Sequence, residues 1–285
     1  MIASWVAIDS RSASSLYIAS DSRIADNRGG LTDHARKLYA CSTRAHVFGY
    51  VGWSDYYPCV VLERLVEAID SGLFGIGDDV SVLQSKVFAF LKDSLADRLR
   101  WANQRVHSAP FSILHGARQG RGIKSEFRLW ILTWVPNRGW HIRRRRTKWQ
   151  RSKILFLFGS SQRDLGRFVR IWQKSDAANT SRSMFSAFCD ALVATSDICT
   201  GGPPQLVGIF RKGPGRSFAV VYKEKLYLAG RRVDPVQVNE KLFCPNQLFE
   251  RVDITSTRLL PNAQRQPRPR SIKPPRRPSI FDSIR

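Results

Sequence analysis

The chain has 285 residues, 43% of them hydrophobic, which is enough to bury a substantial core. One large domain with an appendage is the leading expectation, and two smaller domains are the alternative. No run of 18 or more apolar residues occurs, and the segment from Met1 to Trp5 has neither a basic stretch nor a long apolar run. We therefore expect no membrane association, no secretory signal and a cytoplasmic location.

The cysteines and histidines do not form a metal-binding pattern. The five cysteines are scattered and odd in number, no C-x-x-C pair occurs, and the five histidines form no H-E-x-x-H-like cluster. Because structural and catalytic zinc sites need such spacings, we expect no metal and no cofactor. Reduced thiols are the expected state of the cysteines.

The formal net charge of +23 is concentrated in two segments. Residues 141–153 hold seven Lys or Arg and no acid, residues 263–285 hold seven more against Asp282, and together they supply 13 of the 23 net charges. Basic patches attract polyanions through counterion release. The alternative is a solvated strand edge plus a solubilising tail. The candidate binding residues for nucleic acid or an acidic partner are Arg143, Arg144, Arg145, Arg146, Lys148 and Arg151.

The first half of the chain predicts two hairpins followed by two helices. Residues 4–8 and 16–21 are strand-like and flank a polar turn, and residues 37–41 and 45–49 form a second such pair. Apolar residues then recur at helical spacing over residues 56–72 and again over residues 79 to about 106.

The second half repeats this order of strands and helices. Strands are predicted at 111–117, 127–135, 140–146 and 154–158, with a hairpin turn at 136–139, then helices at 162–173 and 183–195, and last strands at 206–210, 217–222 and 225–229. Such segregation favours an α+β fold of stacked antiparallel sheets over a doubly wound sheet. From Pro261 the sequence is rich in Pro and Arg, which predicts a domain over 1–260 and a disordered basic tail over 261–285.

Five motifs occur in order between these elements. They are Ala19-Ser-Asp21-Ser-Arg23 after the opening strand, Arg36-Lys37-Leu38-Tyr39, Gly49-Tyr-Val-Gly52-Trp-Ser-Asp55, Gly159-Ser160-Ser161 and Asp197-Ile-Cys-Thr200-Gly201-Gly202. In this order, and over residues 3 to about 230, they resemble the proteasome β-subunits and their simpler bacterial relatives, which are N-terminal-nucleophile (Ntn) hydrolases.

This resemblance implies a four-layer αββα sandwich of two antiparallel sheets flanked by helices. It also implies a homo-oligomeric ring, with an ATPase or regulatory partner. In such a site the α-amine of the first residue acts as the base for that residue's own nucleophile. The resemblance gives Lys37 and Asp21 the charged roles beside the amine, has Asp197 and Thr200 orient it, and makes the Gly49 N–H the oxyanion donor.

The resemblance leaves two registers for the nucleophile. Aligning Ala7 with the small residue of the family's opening strand puts Ala3, which has no hydroxyl, at the nucleophile position, with Val6 and Ile8 facing the core and Trp5 on the active-site side. Sliding the strand by one residue makes Ser4 the nucleophile but reverses every side chain. Because bulky Ile2 disfavours simple methionine removal, autolysis after Ala3 would then be required.

Three functions remain open at this point. The first is a peptidase subunit that uses Ser4 inside a ring chamber. The second is a non-catalytic structural or scaffold relative. The third is a basic binding module, in which Trp140 and Trp149 among the arginines stack on bases; the alternative for these two tryptophans is ordinary packing.

Overall fold

The computed structural model describes residues 1–25, 29–52, 56–75, 79–101, 109–237 and 242–272. Four helices occur in this part of the chain: α1 (Tyr56–Asp70), α2 (Val80–Trp101), α3 (Gln162–Trp172) and α4 (Ser181–Ala194). The strands are β1 (Ile2–Ile8), β2 (Ala13–Ser20), β3 (Ile24–Ala25), β4 (Leu31–Thr32), β5 (Leu38–Ala40), β6 (His46–Gly52), β7 (Phe111–Gln119), β8 (Glu126–Val135), β9 (Gly139–Arg145), β10 (Lys153–Phe158), β11 (Gln205–Phe210), β12 (Gly215–Tyr222), β13 (Lys225–Leu228) and β14 (Arg231–Arg232).

The predicted elements agree with this order. Both N-terminal hairpins form, β1 with β2 and β5 with β6, and the predicted turn at 136–139 joins β8 to β9. The predicted second helix was expected to run to about residue 106, but residues 102–108 lie outside the described part of the chain. The two-residue strands β3, β4 and β14 were not predicted, because two residues are too short to carry an alternating pattern.

The strands form two large antiparallel sheets. The first has the order β10-β1-β2-β11-β12-β13-β14, and the second has the order β5-β6-β7-β8-β9; β3 and β4 pair separately. In the first sheet β1 lies between β10 and β2, with Ile2 opposite both Phe158 and Ser20. The start of the chain is therefore held inside a sheet by neighbours on both sides.

Three hydrophobic cores show how the layers stack. Side chains of α1 and α2 pack with one face of the five-stranded sheet, and one core contains Leu62 and Leu91 together with Phe48 and Leu132. A second core lies between the sheets and contains Ile18 and Leu114 among others.

The third core lies under the remaining two helices. It joins Leu165 of α3 and Phe185 of α4 to Ala19 and Phe218 of the seven-stranded sheet. Helices, sheet, sheet and helices therefore follow one another, and the predicted four-layer αββα sandwich is confirmed. Each sheet buries both faces, as a four-layer arrangement requires.

The packing of β1 corrects one expectation about its side chains. Successive residues of a strand point to opposite faces, so Ala3 and Trp5 face α4 while Ile2 faces the other sheet. Trp5 does not border an open site: it is fully buried, stacks on Tyr17 with ring centroids 5.3 Å apart, and lies 6.5 Å from Phe185.

The C-terminal segment is described as far as residue 272. In this part Arg268 forms an ion pair with Asp190 of α4, and the Gln266 N–H donates to the Glu250 carboxylate at 2.6 Å. Residues 273–285 lie outside the described part, and the division of the chain at residue 260 stays a prediction. None of the described helices has the length and apolar character needed to cross a membrane.

Candidate functional site

Three charged groups meet at the start of β1. The register of β1 on β2 places Met1 opposite Asp21, and the α-amine of Met1 donates to Asp21 Oδ1 at 2.6 Å. Lys37, immediately before β5, donates from Nζ to the same oxygen at 3.0 Å. The carboxylate therefore joins the seven-stranded sheet to the five-stranded one.

The second oxygen of Asp21 is bound by backbone donors. Gly201 and Arg23 each donate their N–H to Oδ2 at 3.2 Å. The Arg23 side chain does not pair with Asp21; its guanidinium forms two hydrogen bonds to Asp33, at 2.5 and 2.8 Å. Both oxygens of the Asp21 carboxylate are thus occupied by donors.

Gln205 holds the backbone of this cluster together. Its Oε1 accepts the Lys37 N–H at 3.1 Å, and its Nε2 donates to the Ser22 hydroxyl at 2.9 Å and to the Ala35 carbonyl at 2.8 Å. Gln205 is buried at the start of β11, so it connects the segments that carry Asp21 and Lys37.

The cluster is closed to solvent. Side chains of Met1 and Asp21 are 0% exposed, and that of Lys37 is 8% exposed. Burial lowers the pKa of the Met1 amine, although the Asp21 carboxylate opposes that shift. Burial alone would raise the pKa of Asp21, but the Lys37 ammonium and the Met1 amine hold it below its ordinary value.

The turn after α4 forms the other wall of the cluster. Asp197 accepts hydrogen bonds from the hydroxyls of Ser160, Ser161 (2.9 Å) and Thr200 (2.7 Å). Burial favours a higher pKa for Asp197, but these hydroxyl donors and the Cys199 N–H lower it to about 2. The charge of Asp197 also favours the protonated Met1 amine.

Gly159 shows how closely this wall approaches the chain start. Its φ is +121°, and a Cβ at this position would lie 2.8 Å from the Met1 Cα. Any other residue would both strain the backbone and displace Met1. The second glycine-serine turn identified in the sequence therefore lies directly against the α-amine.

The structure brings together four of the predicted site residues: Asp21, Lys37, Asp197 and Thr200. Ser4 lies elsewhere. It is fully buried within β1, and its hydroxyl donates to the Tyr17 carbonyl at 2.9 Å. In this structure the residue beside Asp21 and Lys37 is Met1, and the assignment of Ser4 as nucleophile after processing stays a prediction.

Gly49 and the basic residues also lie away from the amine. Gly49 lies in β6 opposite Leu38 and Leu114, and a Cβ there would come within 3.1 Å of Ile2. Its role as an oxyanion donor stays a prediction, and Asp55 of the same motif lies outside the described residues. The predicted basic residues lie on and beyond β9, on a separate surface.

Sequence reasoning did not assign roles to the Met1 amine, Ser160, Ser161 or Gln205. The two serines were part of a recognised motif, so their position beside Asp197 had a signal in the sequence. Gln205 had none, since a single amide at the start of a strand is common. In the described part of the chain no group of three or more His, Cys, Asp or Glu side chains could hold a metal ion.

The arrangement combines a buried α-amine, a buried ion pair and the thioether side chain of Met1. An α-amine of lowered pKa can accept a proton, and Lys37 and Asp21 set the local charge. The side chain on residue 1, however, is a thioether, which has no proton to give up and does not attack a carbonyl.

Comparisons with known proteins show limited similarity. No family model matches the chain, and no curated protein sequence matches it. Among solved structures it is similar to Anbu (ancestral beta-subunit) from Yersinia bercovieri, with 11% identity, coverage of 76% of this chain and 86% of that chain, and a TM-score of 0.46. It is also similar to the helical assembly of the Anbu complex from Pseudomonas aeruginosa, with 13% identity, coverage of 82% of this chain and 86% of that chain, and a TM-score of 0.47.

A third similar structure is eukaryotic HslV from Trypanosoma brucei, with 10% identity, coverage of 74% of this chain and 99% of that chain, and a TM-score of 0.38. Scores this low carry no argument by themselves. The assignment of the αββα fold rests on the sheet order and the three cores described above.

Replacing Asp21 by Asn should destabilise the protein strongly. Asp21→Asn keeps the shape but removes the buried carboxylate that pairs directly with both Lys37 and the Met1 amine, which costs about 3–5 kcal/mol of unfolding free energy. Urea unfolding followed by circular dichroism measures this loss. Asp164→Asn on exposed α3 is the matched control and should cost less than about 1 kcal/mol. The double variant Asp21→Asn/Lys37→Met should recover part of the unfolding free energy lost in Asp21→Asn, because it also removes the unpaired ammonium. No recovery would show that the loss does not come from an unpaired buried charge.

Stability should also depend on pH through Asp21. Its pKa is lowered in the folded state, so its contribution is fully present above the unfolded pKa of about 3.9 and is lost as pH falls through the lower folded value. The difference in unfolding free energy between the wild type and Asp21→Asn should therefore shrink between about pH 5 and about pH 2. A difference that stays constant over this range would show that Asp21 is not charged in the folded protein.

Proposed function

We propose that this chain is a proteasome-like subunit that does not hydrolyse peptides and whose buried charge cluster holds the fold together. The observation that carries this proposal is the geometry at the start of β1. There the α-amine, Asp21 and Lys37 form a closed ion-pair cluster around a residue whose side chain is not a nucleophile.

The position of Ser4 supports the same conclusion. Three residues of extended strand separate its backbone from that of Met1 by about 10 Å. Its hydroxyl is buried and already paired to Tyr17, so it cannot take a proton-transfer step with the amine beside Asp21. Cleavage before Ser4 would also remove Ile2, which is 0% exposed and lies against Gly49 between the sheets.

A structural role accounts for the charged groups. Asp21 binds donors from the start of β1, from Lys37 before β5 and from Gly201 in the turn after α4. These segments are distant in sequence, and the cluster fixes their relative positions. Buried charges are retained in some proteins because they specify one arrangement of the chain.

The competing function is a peptidase with Ser4 exposed by processing. The presence together of Asp21, Lys37, Asp197 and Thr200 is the observation that favours it, because these are the groups that the Ntn resemblance assigns to the site. The two functions differ in which residue forms the mature N-terminus and in whether that residue reacts.

Intact-mass spectrometry before and after treatment with a β-lactone probe separates the two functions. We expect no chain starting at Ser4 and no covalent adduct, since residue 1 carries a thioether and the Ser4 hydroxyl is buried and paired with the Tyr17 carbonyl. We also expect no release of fluorophore from peptide substrates.

The matched variants are Ser4→Ala and Ser14→Ala, a serine on the neighbouring strand β2. Neither should change the mass pattern beyond the substitution itself. An adduct that disappears in Ser4→Ala but persists in Ser14→Ala would overturn the proposal and assign a peptidase.

The resemblance of the five motifs also leads us to propose self-assembly of several copies. Native mass spectrometry and light scattering should report a multiple of the chain mass at micromolar concentration. A monomer under both methods would contradict assembly without affecting the conclusion about catalysis, because the charge cluster lies within one chain.

A further inference from the structure

The basic segment 141–153 spans the open side of the sandwich. Its first part belongs to β9, the edge strand of the five-stranded sheet, and its last residue begins β10, the edge strand of the seven-stranded sheet. The four consecutive arginines 143–146 are exposed, as are Lys148, Arg151 and Lys153. The segment therefore displays seven cations where both sheets end.

Few carboxylates neutralise these cations. Glu126 pairs with Lys148 of the segment at 2.6 Å. The same carboxylate also lies 3.9 Å from Arg128 of β8, which is outside the segment. Within the ranges that the structure describes, no carboxylate lies in ion-pair distance of Arg143, Arg145 or Arg151. The positive charge of the segment is thus available to an external anion.

The loop between β9 and β10 is anchored at two buried points. The Thr147 hydroxyl donates to the Phe127 carbonyl, and the Ser152 hydroxyl accepts the Ile8 N–H at 3.0 Å. Because both anchors are buried, the backbone that carries Lys148 and Arg151 has fixed attachments on each side.

Trp149 orders the cations of this loop further. Its Nε1 donates to the Arg146 carbonyl at 2.9 Å, and the Lys153 ammonium lies 3.7 Å from the centroid of its ring. The Arg146 guanidinium lies 5.1 Å from the same centroid. These cation–π contacts hold two charged groups beside each other despite their like charge.

The same loop forms one wall of a cavity of about 1010 Å³. Its charged lining residues are five cations and one acid: Lys124, Arg146, Lys148, Arg151, Lys153 and Glu126. The surface is therefore concave and basic. A flexible polyanion can enter such a cavity, whereas a flat membrane surface cannot.

The edge strand adds a regular spacing of charges. Arg143 and Arg145 lie opposite Ile131 and Leu129 of β8, so they share one face of the sheet, about 7 Å apart. This interval is of the same order as the distance between successive phosphates in an extended nucleic acid strand. Guanidinium groups also match phosphate geometry through paired hydrogen bonds.

We propose that the surface formed by Arg143, Arg145, Arg151, Lys153 and Lys124 binds single-stranded nucleic acid through its backbone phosphates. The strand runs along β9 and enters the cavity beside the anchored loop. Contacts of this kind are electrostatic and independent of base sequence. This inference goes beyond the proposed structural role and does not depend on it.

Fluorescence anisotropy with a labelled oligouridylate strand, titrated at several salt concentrations, tests the proposal. Arg143→Gln/Arg145→Gln/Arg151→Gln should weaken binding about tenfold or more. It should also reduce the slope of log affinity against log salt by about 2, which is about 0.7 for each of three lost phosphate contacts. All three side chains are exposed, so the variant should unfold at the wild-type urea concentration.

The control variant Arg163→Gln/Arg231→Gln/Arg232→Gln removes the same charge from exposed sites on α3 and β14. It should keep most of the affinity and the wild-type salt slope. Equal loss in both triple variants would overturn the proposal, because only net charge would then matter. Displacement of the labelled strand more readily by polyglutamate or by inorganic polyphosphate than by unlabelled oligouridylate would also overturn the nucleic acid assignment.

Discussion

The buried carboxylate of Asp21 is the interaction on which the arrangement of this protein depends. A carboxylate with no exposed surface is costly unless donors surround it, and here the Met1 amine, Lys37 and two backbone N–H groups do so. The donors come from β1, from the segment before β5 and from the turn after α4. One charged group therefore links both sheets and a helical layer at the end of the sandwich where β1 begins.

The same set of charges suits two different roles. Beside a hydroxyl or thiol on the first residue, a low-pKa amine and a lysine would support acyl transfer. Beside a methionine side chain the same charges hold the strand in place, which is the role that we propose for them here. The distinction depends on the register of β1, since moving the chain start by three residues would bring a different side chain to Asp21 and would unpair the groups that now satisfy it.

The two charged regions of the molecule have opposite environments. Around Asp21 each charge has a partner and solvent is excluded, whereas on residues 143–153 the charges are exposed and mostly unneutralised. The second region lies at free edges of both sheets, where charged side chains also discourage unwanted strand pairing. A binding role and this protective role require the same exposure of the charged side chains. The fixed loop, the cavity beside it and the spacing of Arg143 and Arg145 are the features that favour binding.

The sequence by itself determined the order of strands and helices and the hairpins, because periodicity and turn motifs are local properties. The convergence of Asp21, Lys37 and the 197–202 turn was implied only by the resemblance of the five motifs to a known family. The tertiary structure decided which residue meets Asp21. Every residue from Ile2 to Ala7 is buried, so alternation along β1 does not distinguish one register from the next. That choice depends on pairing with β2 and β10, on the packing of Trp5 against Tyr17 and Phe185, and on the approach of Gly159 to Met1, contacts between segments far apart in the chain.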